Sequence, residues 1–236
     1  MNKVAKKNTI MSVVVMSIIS VVCVALLAVC NAFIPKFVPT LDLAAATLIN
    51  SICPSGVDDQ TALNEGYFVI GSIDDKKLAA FNKENRVAPK NELSAVYKVV
   101  KGDYKGTLVI QSQAKGYADD PIVLMTAIGD DGAILAMTLV SEGENSPGTQ
   151  SIFSGKEFNP DMVDALMEYI KGKTEVTSSE IIAATGATSK YSVTGVVNAL
   201  NMAVISAKAI QDGSLEVTFE GDKAADGDLG NSSEEV

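Results

Sequence analysis

Apolar residues are concentrated in one uninterrupted segment near the start of the chain. Between Ile10 and Phe33 no residue is charged, and most are Val, Ile, Leu, Met, Ala or Cys. At about 1.5 Å per residue, this stretch makes a helix of roughly 36 Å, which is long enough to cross a bilayer with some tilt. The pattern predicts a transmembrane helix over residues 9–34.

The charges that flank this segment predict its orientation. Lys3, Lys6 and Lys7 precede it within residues 1–8. Because cytoplasmic flanks are enriched in Lys and Arg, we expect a cytoplasmic N-terminus, one pass through the cell membrane and an extracytoplasmic domain. A cleaved signal peptide or a lipoprotein signal is the alternative. The apolar run is longer than the ~7–15 residues of a signal core, which favours an uncleaved anchor.

Beyond residue 40 the apolar positions follow the two periods of a globular domain. Helical spacing predicts helices over residues 41–53, 159–171 and 189–211, and Asn159 followed by Pro160 is typical of a helix start. Runs rich in β-branched residues predict strands over 67–73, 94–100, 106–113, 121–128 and 133–140. Turns rich in Gly and Asp join the last four strands in pairs, and the side chains of the last strand indicate that both of its faces are covered. The pattern favours an α+β class, an antiparallel sheet packed by helices, over a doubly wound one.

These elements divide the chain after the anchor into three regions. Residues 35–90 form a connecting region of helices and one strand, with a charged stretch at its end. Residues 91–212 form the main domain. Residues 213–236 are acidic, Gly-rich and poor in apolar side chains from about Glu220, so we expect a disordered tail.

Charge and composition exclude several classes of function. The four lysines of residues 1–36 leave 15 basic and 29 acidic residues in the rest of the chain, a formal charge of −14. This argues against nucleic acid or an anionic lipid surface as a partner. The chain has no histidine, which excludes Ser-His-Asp and Cys-His catalysis and most zinc sites. Cys53 is the one cysteine beyond the apolar segment, so the outer domain has no disulfide.

Small and hydroxyl-bearing residues stand directly before the longest predicted helix, in the run Thr185-Gly186-Ala187-Thr188-Ser189. Small residues let a ligand approach the backbone, and the N–H groups and dipole at a helix N-terminus favour a phosphate. By itself this pattern indicates only a possible anion site. An ordinary helix cap, made by the hydroxyl of Thr188 or Ser189, explains the same residues.

The run Thr185-Gly186-Ala187-Thr188 resembles the flavinylation motif of the FMN-binding domain family. That family includes the G subunit of the Rnf electron transport complex and the C subunit of the Na+-translocating NADH:quinone oxidoreductase. Gly116-Tyr117 leading into Pro121-Ile122 resembles the family's GY and PI hairpin, and Asn145–Thr149 occupies the place of its E-T-P-G loop. The apolar segment, ending in Cys30-Asn31-Ala32-Phe33, is similar in length and placement to the anchor of the Rnf G subunit.

The resemblance implies where a cofactor would lie. It implies FMN linked covalently through its phosphate to Thr188, with the neighbouring residues Thr185, Gly186, Ala187 and Ser189 around the linkage. It implies ring contacts from Ser146, Pro147, Gly148 and Thr149. Tyr117 could stack near the ring or be a half-buried sheet tyrosine, and Lys190 could screen the phosphate or be a solvated lysine. The chain departs from the family at Ile182, where an Asp recognised by the flavin transferase often stands, and at Asn145 and Lys190-Tyr191.

The implied function is an electron-transfer subunit of an oxidoreductase complex rather than an enzyme by itself. The expected partners are other membrane subunits of an Rnf-type complex, which couples ferredoxin oxidation and NAD reduction to ion movement, and a flavin transferase for maturation. The chain has no recognisable iron–sulfur spacing and no Gly-rich dinucleotide fingerprint, so we do not expect it to bind NAD or to pump ions alone. The alternatives are a C-subunit-like component of a Na+-translocating quinone reductase, a freestanding extracytoplasmic FMN carrier, and a non-redox membrane-tethered domain.

Overall fold

The computed structural model describes residues 41–143 and 151–219, together with the isolated positions Met16 and Ser20. Apart from these two positions, the predicted transmembrane helix over residues 9–34 lies outside the described residues, as does the chain after residue 219. The described ranges fall within one compact unit.

This unit has an α+β fold, which confirms the predicted class. Its first half contains the elements α1 (Leu43–Ile52), α2 (Asp59–Asn64), β1 (Phe68–Ser72), α3 (Asp75–Asn85), β2 (Glu92–Val99), β3 (Leu108–Lys115), β4 (Pro121–Ile128) and β5 (Ile134–Ser141). Its second half contains β6 (Phe153–Ser154), β7 (Glu157–Phe158), α4 (Pro160–Ile170), α5 (Ser178–Thr185), α6 (Lys190–Gln211) and β8 (Thr218–Phe219).

Six strands form one antiparallel sheet in the order β5-β4-β3-β2-β1-β8. β2 to β5 are neighbours both in sequence and in space, as the predicted hairpins require. The central pair β3 and β4 is in register over its full length, from Leu108 opposite Ile128 to Lys115 opposite Pro121. β8 pairs with β1, so Thr218 and Phe219 belong to the sheet rather than to the tail predicted from residue 213.

Helices cover both faces of this sheet, which explains why its central strands are apolar on both sides. On one face α6 packs over β3 and β4, and the fully buried side chains there include Ile110, Ile122 and Leu200. On the other face α1 packs over β4 and β5, in a cluster that includes Ile49 and Val109. The core therefore consists of two apolar layers with the sheet between them.

Helix α6 is the longest element and lies against the middle of the sheet. Its start differs by one residue from the prediction over residues 189–211. Among the described residues, it is the one helix whose length and composition would allow it to cross a membrane, and 67% of its most apolar window is buried inside the fold. Packing against the sheet therefore accounts for its apolar side chains.

Helix α5 has no counterpart among the predicted elements, although the sequence contains a signal for it. Thr177 is the N-cap, and its hydroxyl accepts a hydrogen bond from the Glu180 backbone N–H at 3.4 Å. The same hydroxyl donates to the Glu180 carboxylate. A Thr followed three positions later by Glu is a capping box, which marks a helix start. This helix determines where the segment from Thr185 onward leaves the core.

Candidate cofactor site

Residues 185–189 form a tight turn between α5 and α6. Gly186 ends α5 in the left-handed region with φ +70°, a conformation that favours glycine. The Thr185 hydroxyl donates to the Ile181 carbonyl at 2.7 Å and accepts from the Ala187 N–H at 3.2 Å. Ala187 is buried in the core. Thr185 and Ala187 therefore shape and anchor the turn.

Thr188 follows the buried Ala187 and is exposed at the surface. Its backbone carbonyl accepts from the Lys190 N–H at 2.9 Å, in the turn that begins the 22-residue helix α6. The positive end of a long helix dipole thus lies next to the Thr188 side chain. The structure places this threonine where the sequence predicted it, at the start of the helix.

Ser189 occupies the N-cap position of α6, but its side chain makes no cap hydrogen bond. Instead the Ser189 Oγ accepts from the Ile152 N–H at 3.2 Å. The hydroxyl therefore ties the start of α6 to the chain that follows residues 144–150. The alternative that Ser189 acts as an ordinary side-chain cap is wrong.

A surface cleft of about 390 Å³ opens beside Thr188. This volume is within the ~300–1,000 Å³ range of small-molecule sites. The cleft is lined by Tyr117, Thr188, Ser189, Lys190, Tyr191 and Ser192. The Tyr117 and Tyr191 rings lie 6.2 Å apart between centroids, tilted by 54°, and are 64% and 70% exposed. Tyr117 is thus a surface residue of the cleft and not a half-buried sheet tyrosine.

Close packing at Gly195 brings Tyr117 to the first turn of α6. A Cβ at Gly195 would lie 2.6 Å from the Ile122 Cδ1, 3.0 Å from the Gly116 Cα and 3.1 Å from the Lys115 carbonyl oxygen. The helix therefore approaches the connection between β3 and β4 so closely that any side chain larger than that of glycine would force a shift. Tyr117 follows Gly116 directly, so this contact fixes one side of the cleft.

Buried polar side chains fix the position of α6 along the sheet. The Ser112 hydroxyl donates to the Ala199 carbonyl at 2.8 Å, and the Asn91 amide donates to the Asn198 carbonyl at 2.9 Å. Both side chains are buried. Because a buried hydrogen-bonding group left without its partner is costly, these bonds oppose any sliding of the helix.

Asn201 in α6 also holds the chain that enters α5. Its side-chain amide accepts from the Val176 N–H at 3.0 Å and donates to the Val176 carbonyl at 2.9 Å. The turn that carries Thr188 is therefore connected to the core at both of its ends.

The predicted ring contacts Ser146, Pro147, Gly148 and Thr149 lie outside the described residues, and their role stays a prediction. The chain just before them is described up to Gly143, which has φ +63°. A Cβ on Gly143 would lie 2.3 Å from the Asp120 carbonyl oxygen. This close approach holds the start of the loop against the start of β4.

Two departures from the family pattern have a clear place in the structure. The Ile182 side chain packs against the core from α5, so an apolar residue there contributes to folding. Tyr191 lines the cleft, a role that the sequence analysis missed. Helical spacing gave no signal for it, because it stands on the exposed side of α6 and its ring meets Tyr117 only through the fold.

The segment that contains this cleft matches the model of a protein family. Residues 116–205 match the family model of the FMN-binding domain. No match was found among curated proteins. The matched segment begins at Gly116, contains Thr188 and its cleft, and ends within α6. The match supports the predicted resemblance for this segment, supports FMN as the cofactor and suggests a flavin-binding electron-carrier role.

Proposed function

We propose that Thr188 carries FMN as a phosphoester and that the chain is the membrane-anchored flavoprotein subunit of an Rnf-type ferredoxin:NAD oxidoreductase complex. One observation carries the proposal. An exposed threonine, at the last position of a T-G-A-T run, stands at the start of a long helix beside a cleft with an aromatic side. This arrangement lies within the segment that matches the FMN-binding domain.

The described residues suit the phosphate of the cofactor and its linkage. A phosphate on Thr188 would lie at the N-terminus of α6, where the helix dipole favours negative charge. The Lys190 side chain lines the same cleft and adds a positive charge. Gly186 has nothing within 4 Å of its potential Cβ position, which leaves room beside the linkage.

The linkage itself requires an activated flavin donor. Direct condensation of FMN with the Thr188 hydroxyl would release water, and in aqueous solution the equilibrium of that reaction favours hydrolysis. We therefore assign the donor to the class of flavin dinucleotides, whose pyrophosphate bond is activated. The bond from Thr188 Oγ1 to the phosphorus forms, and the pyrophosphate P–O bond breaks. The nucleoside monophosphate leaves, and the hydroxyl proton passes to a base on the flavin transferase. The exposure of Thr188 gives such an enzyme access to the hydroxyl.

When bound, FMN supplies one-electron transfer between other carriers. The contribution of the chain is to hold the cofactor in one place. Its turn fixes the attachment point, and a flavin held in the surface cleft would be accessible to a donor or acceptor on another subunit. The buried hydrogen bonds to α6 limit movement of this site relative to the sheet.

The placement in an Rnf-type complex rests on the sequence. The lysine cluster, the apolar segment ending in Cys30-Asn31-Ala32-Phe33 and the order of the later motifs support it. They also support an extracytoplasmic FMN domain. Purification of the native complex and identification of its subunits tests this placement. Recovery with quinone-reductase subunits, or of the chain alone, would instead favour one of the other flavin carriers.

The covalent linkage is tested on the full chain produced in a host that contains a flavin transferase. Wild-type protein, boiled, acid-precipitated and run on a denaturing gel, should show flavin fluorescence, and Thr188→Val should be dark. Thr194→Val is the matched control, because Thr194 is an exposed threonine in α6, the helix that follows Thr188, and it should fluoresce like the wild type. An unmodified mass for the tryptic peptide that contains Thr188 would reject the linkage.

A further inference from the structure

The aromatic side of the cleft combines residues from two distant parts of the sequence. Tyr117 follows β3, and Tyr191 lies in the first turn of α6. Their rings lie 6.2 Å apart between centroids, and both are mostly exposed. Tyrosine presents a large apolar ring whose burial is favourable, and two such rings side by side in a concave site are typical of a surface that binds a planar ligand.

We infer that Tyr191, together with Tyr117, forms the surface against which the isoalloxazine ring of the FMN packs. This inference rests on the proposed function. Thr188, the proposed attachment point, lines the same cleft as both tyrosines. The ligand that we assign to this cleft is therefore the flavin attached to Thr188. A flavin linked there remains within reach of the two rings. Tyr191 replaces the family's usual residue, so this contact is a property of this chain.

The geometry also determines how the ring packs. Stacked carbon atoms lie ~3.5–4.0 Å apart, so holding a planar ring between two others requires parallel rings at least ~7 Å apart. The two tyrosines are closer than this and tilted by 54°. They therefore form an angled aromatic wall rather than a clamp, and a planar ring can lie parallel to one of them at a time. The flavin would therefore pack on this wall with one face only.

The test uses the flavinylated full chain in detergent. Peptide mass spectrometry first determines the flavin content of each preparation. Flavin fluorescence and visible circular dichroism are then compared per bound flavin. A tyrosine in van der Waals contact quenches flavin fluorescence, because the phenol donates an electron to the excited ring and takes it back.

We expect Tyr191→Leu to raise the fluorescence several-fold and to reduce the flavin dichroism, because the ring loses its fixed position. Tyr191→Phe should also be brighter but should keep the dichroism, since the packing surface remains. Tyr104→Phe is the control: Tyr104 packs with the cluster on the other face of the sheet, and both signals should match the wild type. Full flavin content with both signals unchanged in Tyr191→Leu would overturn the inference.

A second measurement separates this inference from the proposed linkage. Free FMN is titrated into unmodified full chain. Loss of one aromatic contact should weaken its binding about two- to tenfold in Tyr191→Leu. If Thr188 never carries FMN but this weakening is observed, the linkage fails and the aromatic wall stands. Equal affinity of wild type and Tyr191→Leu would reject the wall.

Discussion

The contact at Gly195 allows the cost of one added methyl group to be worked out from the structure. In Gly195→Ala the new Cβ would lie 2.6 Å from the Ile122 Cδ1, which is the mobile end of a side chain. It would also lie 3.0 Å from the Gly116 Cα and 3.1 Å from the Lys115 carbonyl oxygen, which are backbone atoms. Carbon atoms prefer ~3.5–4.0 Å. Either α6 or the connection between β3 and β4 must therefore move by several tenths of an ångström.

The expected cost combines two opposing effects. Overpacking a buried site costs about 1–3 kcal/mol, whereas replacing Gly by Ala inside a helix gains about 1 kcal/mol in propensity. Because two of the three contacts are with backbone and cannot rotate away, we expect Gly195→Ala to lower the free energy of unfolding by about 1–2 kcal/mol. Ile122→Val alone should cost about 0.5–1.5 kcal/mol. The double variant should lose at least about 0.5 kcal/mol less free energy of unfolding than the sum of the losses in the two single variants. The reason is that Ile122→Val removes the Cδ1 atom, which is the atom closest to the new Cβ.

The assay is urea unfolding of the detergent-solubilised full chain, followed by far-ultraviolet circular dichroism because the chain has no tryptophan. Thr194→Ala, at an exposed position of the same helix, is the control and should stay within about 0.5 kcal/mol of the wild type. Strict additivity of Gly195→Ala and Ile122→Val, or a Gly195→Ala variant as stable as the wild type, would refute the argument from close packing.

Two further predictions concern Ser189, at the end of the turn that carries Thr188, and Glu180, in the first turn of α5. Ser189→Ala should lower the free energy of unfolding by about 1 kcal/mol, because the Ile152 N–H loses its acceptor; Ser189→Thr keeps the hydroxyl and should cost less, and equal stability of the alanine variant would contradict this role. The pKa of Glu180 lies below its ordinary value of 4.5, first because the Thr177 hydroxyl donates to the carboxylate and then because of Tyr169. Stabilisation by this carboxylate is therefore complete above that ordinary value and is lost as the pH falls through the lowered pKa. Thermal unfolding over a pH series should show Glu180→Gln to be less stable than the wild type near neutral pH and equal to it in acid, and a difference that persists in acid would contradict this assignment.

The elements with strong local patterns were predictable from the sequence. The strand Pro121–Ile128 has the same bounds in the prediction and in the structure, and the start of α6 differs by one residue. Alternating apolar positions, Gly-Asp turns and helical spacing are local signals, and here the packing agrees with them. Helix α5 escaped prediction because its eight residues show little helical periodicity, although the Thr177 and Glu180 capping box marks its start.

The sequence by itself determined the α+β class, the hairpin order and the position of Thr188 at the start of a helix, because each of these depends on residues close together in the chain. Only the tertiary structure decided what surrounds that threonine. Tyr117 meets Tyr191 because α6 packs closely on β3 and β4 at Gly195. The period of a helix gives its apolar side, but the partner that its exposed side meets depends on how the whole fold packs.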